Sequence, residues 1–157
     1  MDKIQTLDLI ENAKKAHELK MHKLELLLDG KNVDDLVSVT KTECDFGKIL
    51  YPNEKFLRDV LGSLFYEYLD TLHEKWHDEY NKVYEIFKEY YTNRAEKKSF
   101  FSKFVGNKKE IGVDIDKANL HYDKLKSITV ELISRIEVCK RRVNALNDSK
   151  FEEIIKS

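Results

Sequence analysis

The sequence predicts an all-α protein, an antiparallel four-helix bundle with a short additional helix or an irregular connection. Charged residues make up 36% of the chain and hydrophobic residues 41%, with five glycines and one proline, a composition that favours long solvent-facing helices. Three long segments repeat apolar residues at three- and four-residue steps, the spacing of an amphipathic helix. Because 157 residues suffice for one hydrophobic core, we expect a single domain over residues 1–157, with its core at about residues 6–147.

The first helix is predicted from about Thr6 to Asp29, where good helix formers dominate. Gly30 follows the last apolar position, and glycine readily adopts the left-handed conformation that ends a helix. A polar connection is expected from Lys31 to Glu43. The apolar stripe of this helix is Ile10, Ala13, His17, Met21, Leu24 and Leu28.

A second helical region is predicted to begin at Pro52, because proline fits the first turn of a helix without losing a hydrogen bond. Gly62 is expected to break or bend this region, which ends near Asn93. Its stripe is Leu61, Phe65, Leu69, His73, Trp76, Tyr80, Val83 and Phe87.

Residues 97–113 mix basic residues, glycines and phenylalanines and predict an irregular or short-helix connection. Asp114 or Asp116 is expected to cap the last long helix, which ends around Asn147. Three long helices and one shorter segment, after Pro52 or within residues 97–113, suffice for a four-helix bundle. The stripe of the last helix is Ala118, His121, Leu125, Ile128, Leu132, Ile136, Cys139, Val143 and Leu146.

The charge of the chain argues against nucleic acid and anionic membranes as partners. The 28 basic and 29 acidic side chains nearly cancel and are interspersed, so no global field attracts a polyanion. No apolar run reaches the roughly 20 residues of a membrane span, and the N-terminal residues lack the pattern of a signal peptide. Two cysteines are too few for a secreted disulfide scaffold. We therefore expect a cytoplasmic protein with reduced thiols and no membrane insertion.

The stretch HEKWH contains the histidine pair His73 and His77, which an i, i+4 spacing places on one helix face within reach of one metal ion. With Glu74 it formally matches a metalloprotease motif, but so small a bundle offers no obvious room for a substrate cleft. The alternative on spacing alone is a half-buried pair without a ligand.

Two further residues extend the pair. His17 lies on the apolar stripe of the first helix, where a buried imidazole needs partners for its nitrogens, whereas His22 falls on the polar side. Cys44 in ECDFGKILYPNE could be a small buried hydrophobe. Three histidines and one cysteine, however, are a ligand set that zinc prefers in four-coordinate sites.

At these residues the sequence resembles the chemoreceptor zinc-binding (CZB) domains of bacterial signalling proteins, and the likeness covers most of the chain. That family has a histidine on its first helix, a motif of cysteine, any residue, leucine or phenylalanine, glycine, any residue and an aromatic, and a later histidine pair. CDFG, from Cys44 to Gly47, is similar to the cysteine motif. The resemblance implies that the zinc ligands are His17, Cys44, His73 and His77.

Two positions depart from the family pattern, since Lys20 and Ile49 stand where aromatic residues are usual. Neither position is a ligand in the family. Cys139 and His121 are better explained as core residues of the last helix than as ligands. Lys140, Arg141 and Arg142 are expected on a solvated helix face.

The sequence contains no nucleophile paired with a base, no phosphate-binding glycine loop and no catalytic carboxylate pair that can be singled out. We therefore expect a non-enzymatic sensor. The resemblance implies that zinc occupancy or cysteine oxidation regulates a chemoreceptor or a diguanylate cyclase, in cis or in trans, in a possible homodimer. Spare aromatic residues that could form the dimer face are Tyr66, Tyr84, Tyr90 and Tyr91.

Two other function classes remain open from the sequence. A hemerythrin-like di-iron oxygen carrier is also a four-helix bundle with several histidines, but it requires carboxylates and leaves the cysteine motif unexplained. A purely structural helical module would bind no metal. Only about ten residues follow the last predicted helix, so the chain is either a stand-alone regulator or the sensory part of a longer protein.

Overall fold

The computed structural model describes residues 2–31, 33–34, 36–100 and 114–156, with side chains in the long fourth helix described through Lys88. These residues form six helices and no strand, which confirms the all-α prediction. Residues 101–113, most of the predicted connection, lie outside the described residues. The helices are α1 (Lys3–Leu28), α2 (Gly47–Leu50), α3 (Glu54–Leu61), α4 (Ser63–Phe100), α5 (Ile115–Ala145) and α6 (Asp148–Lys156).

Helix α1 has defined signals at both ends. Asp2 and Gln5 form a capping box, in which each side chain accepts a hydrogen bond from the other residue's backbone N–H. At the other end Gly30 has a φ of 77°, and the Lys31 amide donates to the Leu26 carbonyl at 2.9 Å. The positive φ confirms the helix end expected at Gly30, and the hydrogen bond shows that the end is a Schellman motif.

The three long helices run the length of the bundle, with α5 antiparallel to both α1 and α4. Lys14 pairs with Glu137, and one turn earlier in α1 Glu11 pairs with Lys140. The same reversal relates α4 to α5, because Trp76 bonds Thr129 while Glu79, further along α4, bonds the earlier residue His121. Helices α1 and α4 are consequently parallel, and both begin at the same end of the bundle.

The fourth position of the bundle is occupied by an irregular stretch followed by α2 and α3, and this stretch descends antiparallel to α4. Val37 accepts a hydrogen bond from the Tyr80 hydroxyl at 3.1 Å, and further down Tyr51 donates to Asp70 at 2.7 Å. The bends between these short segments direct side chains of the stretch toward α4. A single long helix in this position would have no such bends.

The helix boundaries match the sequence signals closely, with three differences. Helix α3 begins at Glu54, two residues after Pro52, and Gly62 separates it from α4 with a φ of 84°. Helix α4 extends to Phe100, beyond the predicted end near Asn93. Helices α2 and α6 were not predicted, although Asn147 caps α6 by accepting from the Lys150 amide.

One of the aromatics expected at a dimer face is unavailable for that role. Tyr66 is 3% exposed and its hydroxyl donates to the Leu50 carbonyl, because the fourth residue of α4 faces α2 rather than solvent. Tyr84 is half-buried beneath Lys88. The side chains of Tyr90 and Tyr91 lie outside the described residues.

Candidate metal centre

Four side chains from three separate segments converge in the middle of the bundle. They are His17 on α1, Cys44 before α2, and His73 and His77 on α4, and all four are buried. One potential ligand atom from each lies within 4.8 Å of each of the others. The group could hold a metal ion, and it consists of the four residues singled out from the sequence.

His17 presents a nitrogen with no partner to this group. Its Nδ1 lies 2.8 Å from the Ala13 carbonyl one turn earlier in α1, and a carbonyl only accepts hydrogen bonds, so Nδ1 carries the proton. The opposite nitrogen, Nε2, is buried and has no hydrogen-bond partner among the described residues. A buried polar atom without a partner is costly in a folded protein, and it marks the direction in which a ligand is expected.

His77 repeats this arrangement from α4. Its Nδ1 lies 2.6 Å from the Val39 carbonyl in the irregular stretch, so this ring is also protonated at Nδ1. Its Nε2 lies 3.1 Å from Nε2 of His73. The i, i+4 spacing on one helix therefore brings both Nε2 atoms to the same point.

His73 is the innermost of the three imidazoles, with no exposed surface. Its Nδ1 lies 3.4 Å from the Tyr51 hydroxyl, which itself donates to Asp70. The Tyr51 oxygen is therefore left to accept, and the Nδ1 of His73 donates. With Nδ1–H assigned from these outer partners, all three rings direct an unprotonated Nε2 toward the centre, the form in which each can bind a cation.

Cys44 completes the group from a tight turn. Its Sγ lies 3.0 Å from Nε2 of His73, and it accepts from the Gly47 amide at 3.2 Å. A Cβ atom added to Gly47 would lie 1.8 Å from the Lys41 carbonyl oxygen, so only glycine fits where the turn closes on itself. The glycine of the CDFG stretch is thereby explained by close backbone approach rather than by a positive φ.

Burial makes the positively charged forms of the histidines unfavourable. Desolvation lowers the pKa of His17 and of His77 to about 4. It lowers the pKa of His73 to about 2, and electrostatic repulsion from the other two imidazoles adds to this decrease. Burial raises the pKa of the Cys44 thiol, and the Gly47 amide partly opposes this. Three neutral imidazoles with inward lone pairs form a site that can bind a metal ion, while burial disfavours protonation of the rings.

The donor set and its spacing fit a small tetrahedral ion. Ligand atoms around a four-coordinate zinc lie about 3.3–3.6 Å apart, given metal–nitrogen and metal–sulfur lengths near 2.0 and 2.3 Å. The shortest separations here are 3.0 and 3.1 Å, and the widest is 4.8 Å, so small side-chain adjustments would suffice. Because protein atoms would fill all four positions, the arrangement is that of a closed, four-coordinate site.

An aromatic shell surrounds the four residues. The Trp76 ring centroid lies 4.5 Å from that of His17 and 5.0 Å from that of His77, and Phe46 packs 5.1 Å from His73. The indole N–H donates to Thr129 at 2.8 Å. This shell keeps water from the site and fixes the imidazole planes.

The other predicted candidates stay outside the group. His121 pairs with Glu79 at 2.7 Å, His22 is exposed, and Cys139 is 1% exposed in the core. Glu74 of the HEKWH stretch pairs with Lys41 and is largely exposed. The four-residue group contains no carboxylate, so it lacks the ligands that a di-iron site requires.

The sequence reasoning missed the residues immediately behind the ligands. Tyr51 and Asp70 lie behind His73, and Lys41 bonds Asp70. Asp70 stands three residues before His73, a spacing that places both on one helix face, but nothing in the sequence indicated that Tyr51 meets them. Of the two departures from the family pattern, Ile49 is buried in the core and Lys20 lies 5.7 Å over the Tyr80 ring.

The fold and site define a class, an all-α bundle with a buried three-histidine, one-cysteine group suited to binding a metal ion. Comparison with protein-family models, curated proteins and solved structures finds no match for this chain. Among the described residues, no helix has both the length and the apolar character needed to cross a bilayer.

Proposed function

We propose that the protein is a zinc-binding sensory domain of the chemoreceptor zinc-binding type, which regulates a bacterial signalling partner without catalysing a reaction. The observation that carries the proposal is the convergence of three inward Nε2 atoms and the Cys44 sulfur on one buried point. Imidazole and thiolate together favour zinc over the hard cations magnesium and calcium. The closed ligand set favours sensing over hydrolysis.

The bound ion would tie three parts of the fold together. His17 belongs to α1, His73 and His77 belong to α4, and Cys44 belongs to the segmented fourth position. Cys44 lies in a short turn, whereas the three histidines lie in long helices. We therefore assign Cys44 as the labile ligand and the histidines as the ligands that stay in place. Loss of the thiolate would release the irregular stretch from α4.

Oxidation supplies one way to lose that ligand. The Cys44 thiolate attacks a hydroperoxide, whose O–O bond breaks, and the departing oxygen takes a proton from solvent and leaves as an alcohol or water. The resulting sulfenic acid is a poorer zinc ligand. Proton competition supplies another, since imidazoles must be neutral to bind the ion. The output is a change in helix arrangement that regulates a chemoreceptor or a diguanylate cyclase. The protein acts as a homodimer in the cytoplasm.

Metal content of protein purified without a histidine tag tests the proposal. We expect about one zinc per chain in the wild type and little in the double variant His73→Ala, His77→Ala. The matched control is His22→Ala, His121→Ala, which removes two histidines outside the site and should retain the metal. Wild-type protein that binds no zinc, even after refolding with zinc present, would refute the proposal.

The release of the irregular stretch has its own test. Hydrogen exchange of the backbone amides of residues 37–51 should accelerate when one equivalent of peroxide is added to zinc-loaded protein. Cys139→Ala should behave like the wild type, while Cys44→Ala should exchange rapidly before any oxidant is added. Equal exchange in all three proteins would contradict a labile Cys44.

A further inference from the structure

We propose that Tyr51 and Asp70 are positioning residues that hold His73 in the tautomer able to bind metal. The inference rests on the proposed metal site, but its first test needs no metal. It concerns the side of His73 that faces away from the other ligands, where the half-buried Tyr51 hydroxyl and the Asp70 carboxylate follow one another.

The three imidazoles differ in what holds their outer nitrogen. Nδ1 of His17 and Nδ1 of His77 face the backbone carbonyls of Ala13 and Val39, which can only accept a hydrogen bond. Those two partners leave a single tautomer, with Nε2 free to bind. The outer partner of His73 is instead the Tyr51 hydroxyl, which can either donate or accept.

Asp70 removes this ambiguity. Its Oδ1 lies 2.7 Å from the Tyr51 oxygen, so the tyrosine proton is committed to the carboxylate and the oxygen is left to accept from His73. Lys41 lies 3.2 Å from the same Oδ1, and its ammonium can only donate, so this oxygen accepts from both neighbours. Without Asp70 the hydroxyl could donate to Nδ1, and the proton of His73 would then sit on Nε2, where it blocks a metal.

The chain from Lys41 through Asp70 and Tyr51 also polarises His73. A metal bound at Nε2 draws electrons from the ring and makes Nδ1–H a stronger donor, and an acceptor backed by a carboxylate stabilises that change. Groups behind a ligand typically contribute about ten- to hundredfold to metal affinity. Tyr51 and Asp70 therefore raise affinity through His73 without touching the ion.

Nitrogen-15 NMR of the imidazoles in metal-free protein tests the tautomer directly. We expect His73 to be protonated at Nδ1 in the wild type and to shift toward the Nε2-protonated form in Asp70→Ala. The control Glu74→Ala removes the other acidic partner of Lys41, which pairs at 3.3 Å, and should leave the His73 signals unchanged. An Nε2-protonated His73 in the metal-free wild type would overturn the inference.

Zinc competition against a chromophoric chelator tests the affinity. Tyr51→Phe should weaken binding about ten- to hundredfold, while Tyr66→Phe, which removes a buried hydroxyl bonded at 3.4 Å to Leu50, should change it less than about twofold. Because Asp70 acts through Tyr51, the double variant Tyr51→Phe, Asp70→Ala should bind no more weakly than Tyr51→Phe alone.

The two proposals fail differently in this experiment. Wild-type protein without zinc affinity would refute both, whereas wild-type affinity retained in Tyr51→Phe would refute only the positioning role. Thermal unfolding of each metal-free variant shows whether a loss of zinc affinity is caused by misfolding. A Tyr51→Phe loss that equals the Tyr66→Phe loss would also count against the inference, since a general packing defect would then explain it.

Discussion

The Cys44 sulfur lies 3.0 Å from Nε2 of His73, although 29 positions separate the two residues in the chain. The contact exists because the fourth position of the bundle is a segmented stretch that bends toward α4, not a long helix. Each residue is buried, and each is backed by a group that fixes its direction, Gly47 for the sulfur and Tyr51 for the imidazole.

Gly47→Ala should destabilise the protein and weaken the metal site together. The added methyl group would overlap the Lys41 backbone, and overpacking typically costs about 1–3 kcal/mol, while the shifted turn displaces Cys44. Denaturant unfolding and zinc competition measure the two effects. Gly30→Ala is the control, because its φ of 77° makes alanine strained but nothing lies near the new atom. The free energy of unfolding of Gly30→Ala should fall by about 1–2 kcal/mol, while its zinc affinity should not change. A similar loss of zinc affinity in both variants would disprove the role of the turn.

Metal-free protein should lose stability as the pH falls below about 6.5. The native pKa values of His17 and His77 are about 4 and that of His73 is about 2, all below the value near 6.5 expected for unfolded chains. The unfolded state therefore binds more protons in this window, so stability is complete above pH 6.5 and falls as acid is added. Each histidine that stays neutral in the native state while it is protonated in the unfolded state adds about 1.4 kcal/mol per pH unit to the slope.

Denaturant titrations at pH 7.5, 6 and 5 check this dependence. His22→Ala should follow the wild type, since that ring is exposed. Carboxylates with lowered pKa values, such as Glu11 and Glu79, act only below about pH 4.5, so they cannot mimic a loss that starts near 6.5. A stability that is flat from pH 7.5 to 5 would contradict neutral buried histidines.

Removing zinc with a chelator should lower the melting temperature. A ligand that binds only the native state at a thousand times its Kd stabilises it by about 4 kcal/mol, which corresponds to a shift on the order of 10 °C for a domain of this size. Differential scanning calorimetry with and without the chelator measures the shift. The double variant His73→Ala, His77→Ala should show none, and an equal shift in that variant would indicate binding elsewhere.

The two cysteines should respond in opposite ways to substitution. Cys44→Ala should lower zinc affinity by at least about a hundredfold, because a ligand contributes more than the groups behind it. Cys139→Ala should leave affinity unchanged and cost only the packing of a small buried side chain, within about 2 kcal/mol. Chelator competition and thermal unfolding distinguish them. Zinc affinity that survives in Cys44→Ala would remove the cysteine from the site.

Sequence reasoning reached the ligand group because its signals are local. The HEKWH spacing fixes two imidazoles on one helix face, the stripe of α1 buries His17, and the CDFG glycine marks a turn. The chain direction of the fourth position could not be reached in this way, because it depends on contacts such as Tyr80 to Val37 across the bundle.

Three other features could not be predicted from the sequence: α2, the contact of Tyr51 with His73, and the burial of Tyr66. Helix α2 has only four residues, too few for any periodicity to appear. The placement of Tyr51 against His73 depends on how α2 packs, and no spacing along the chain encodes that. Tyr66, a candidate for a dimer face in the sequence, is buried because α2 packs against it, and no spacing along the chain encodes that contact.

The aromatic shell contains an intrinsic fluorophore. Trp76 is the single tryptophan of the chain, and its ring lies against two of the proposed ligands while stacking on Tyr80 at 5.1 Å. The indole emission of the protein therefore arises beside the ligand group. The molecule carries its own fluorescent reporter, and filling or emptying of the centre can be followed in real time without attaching a dye.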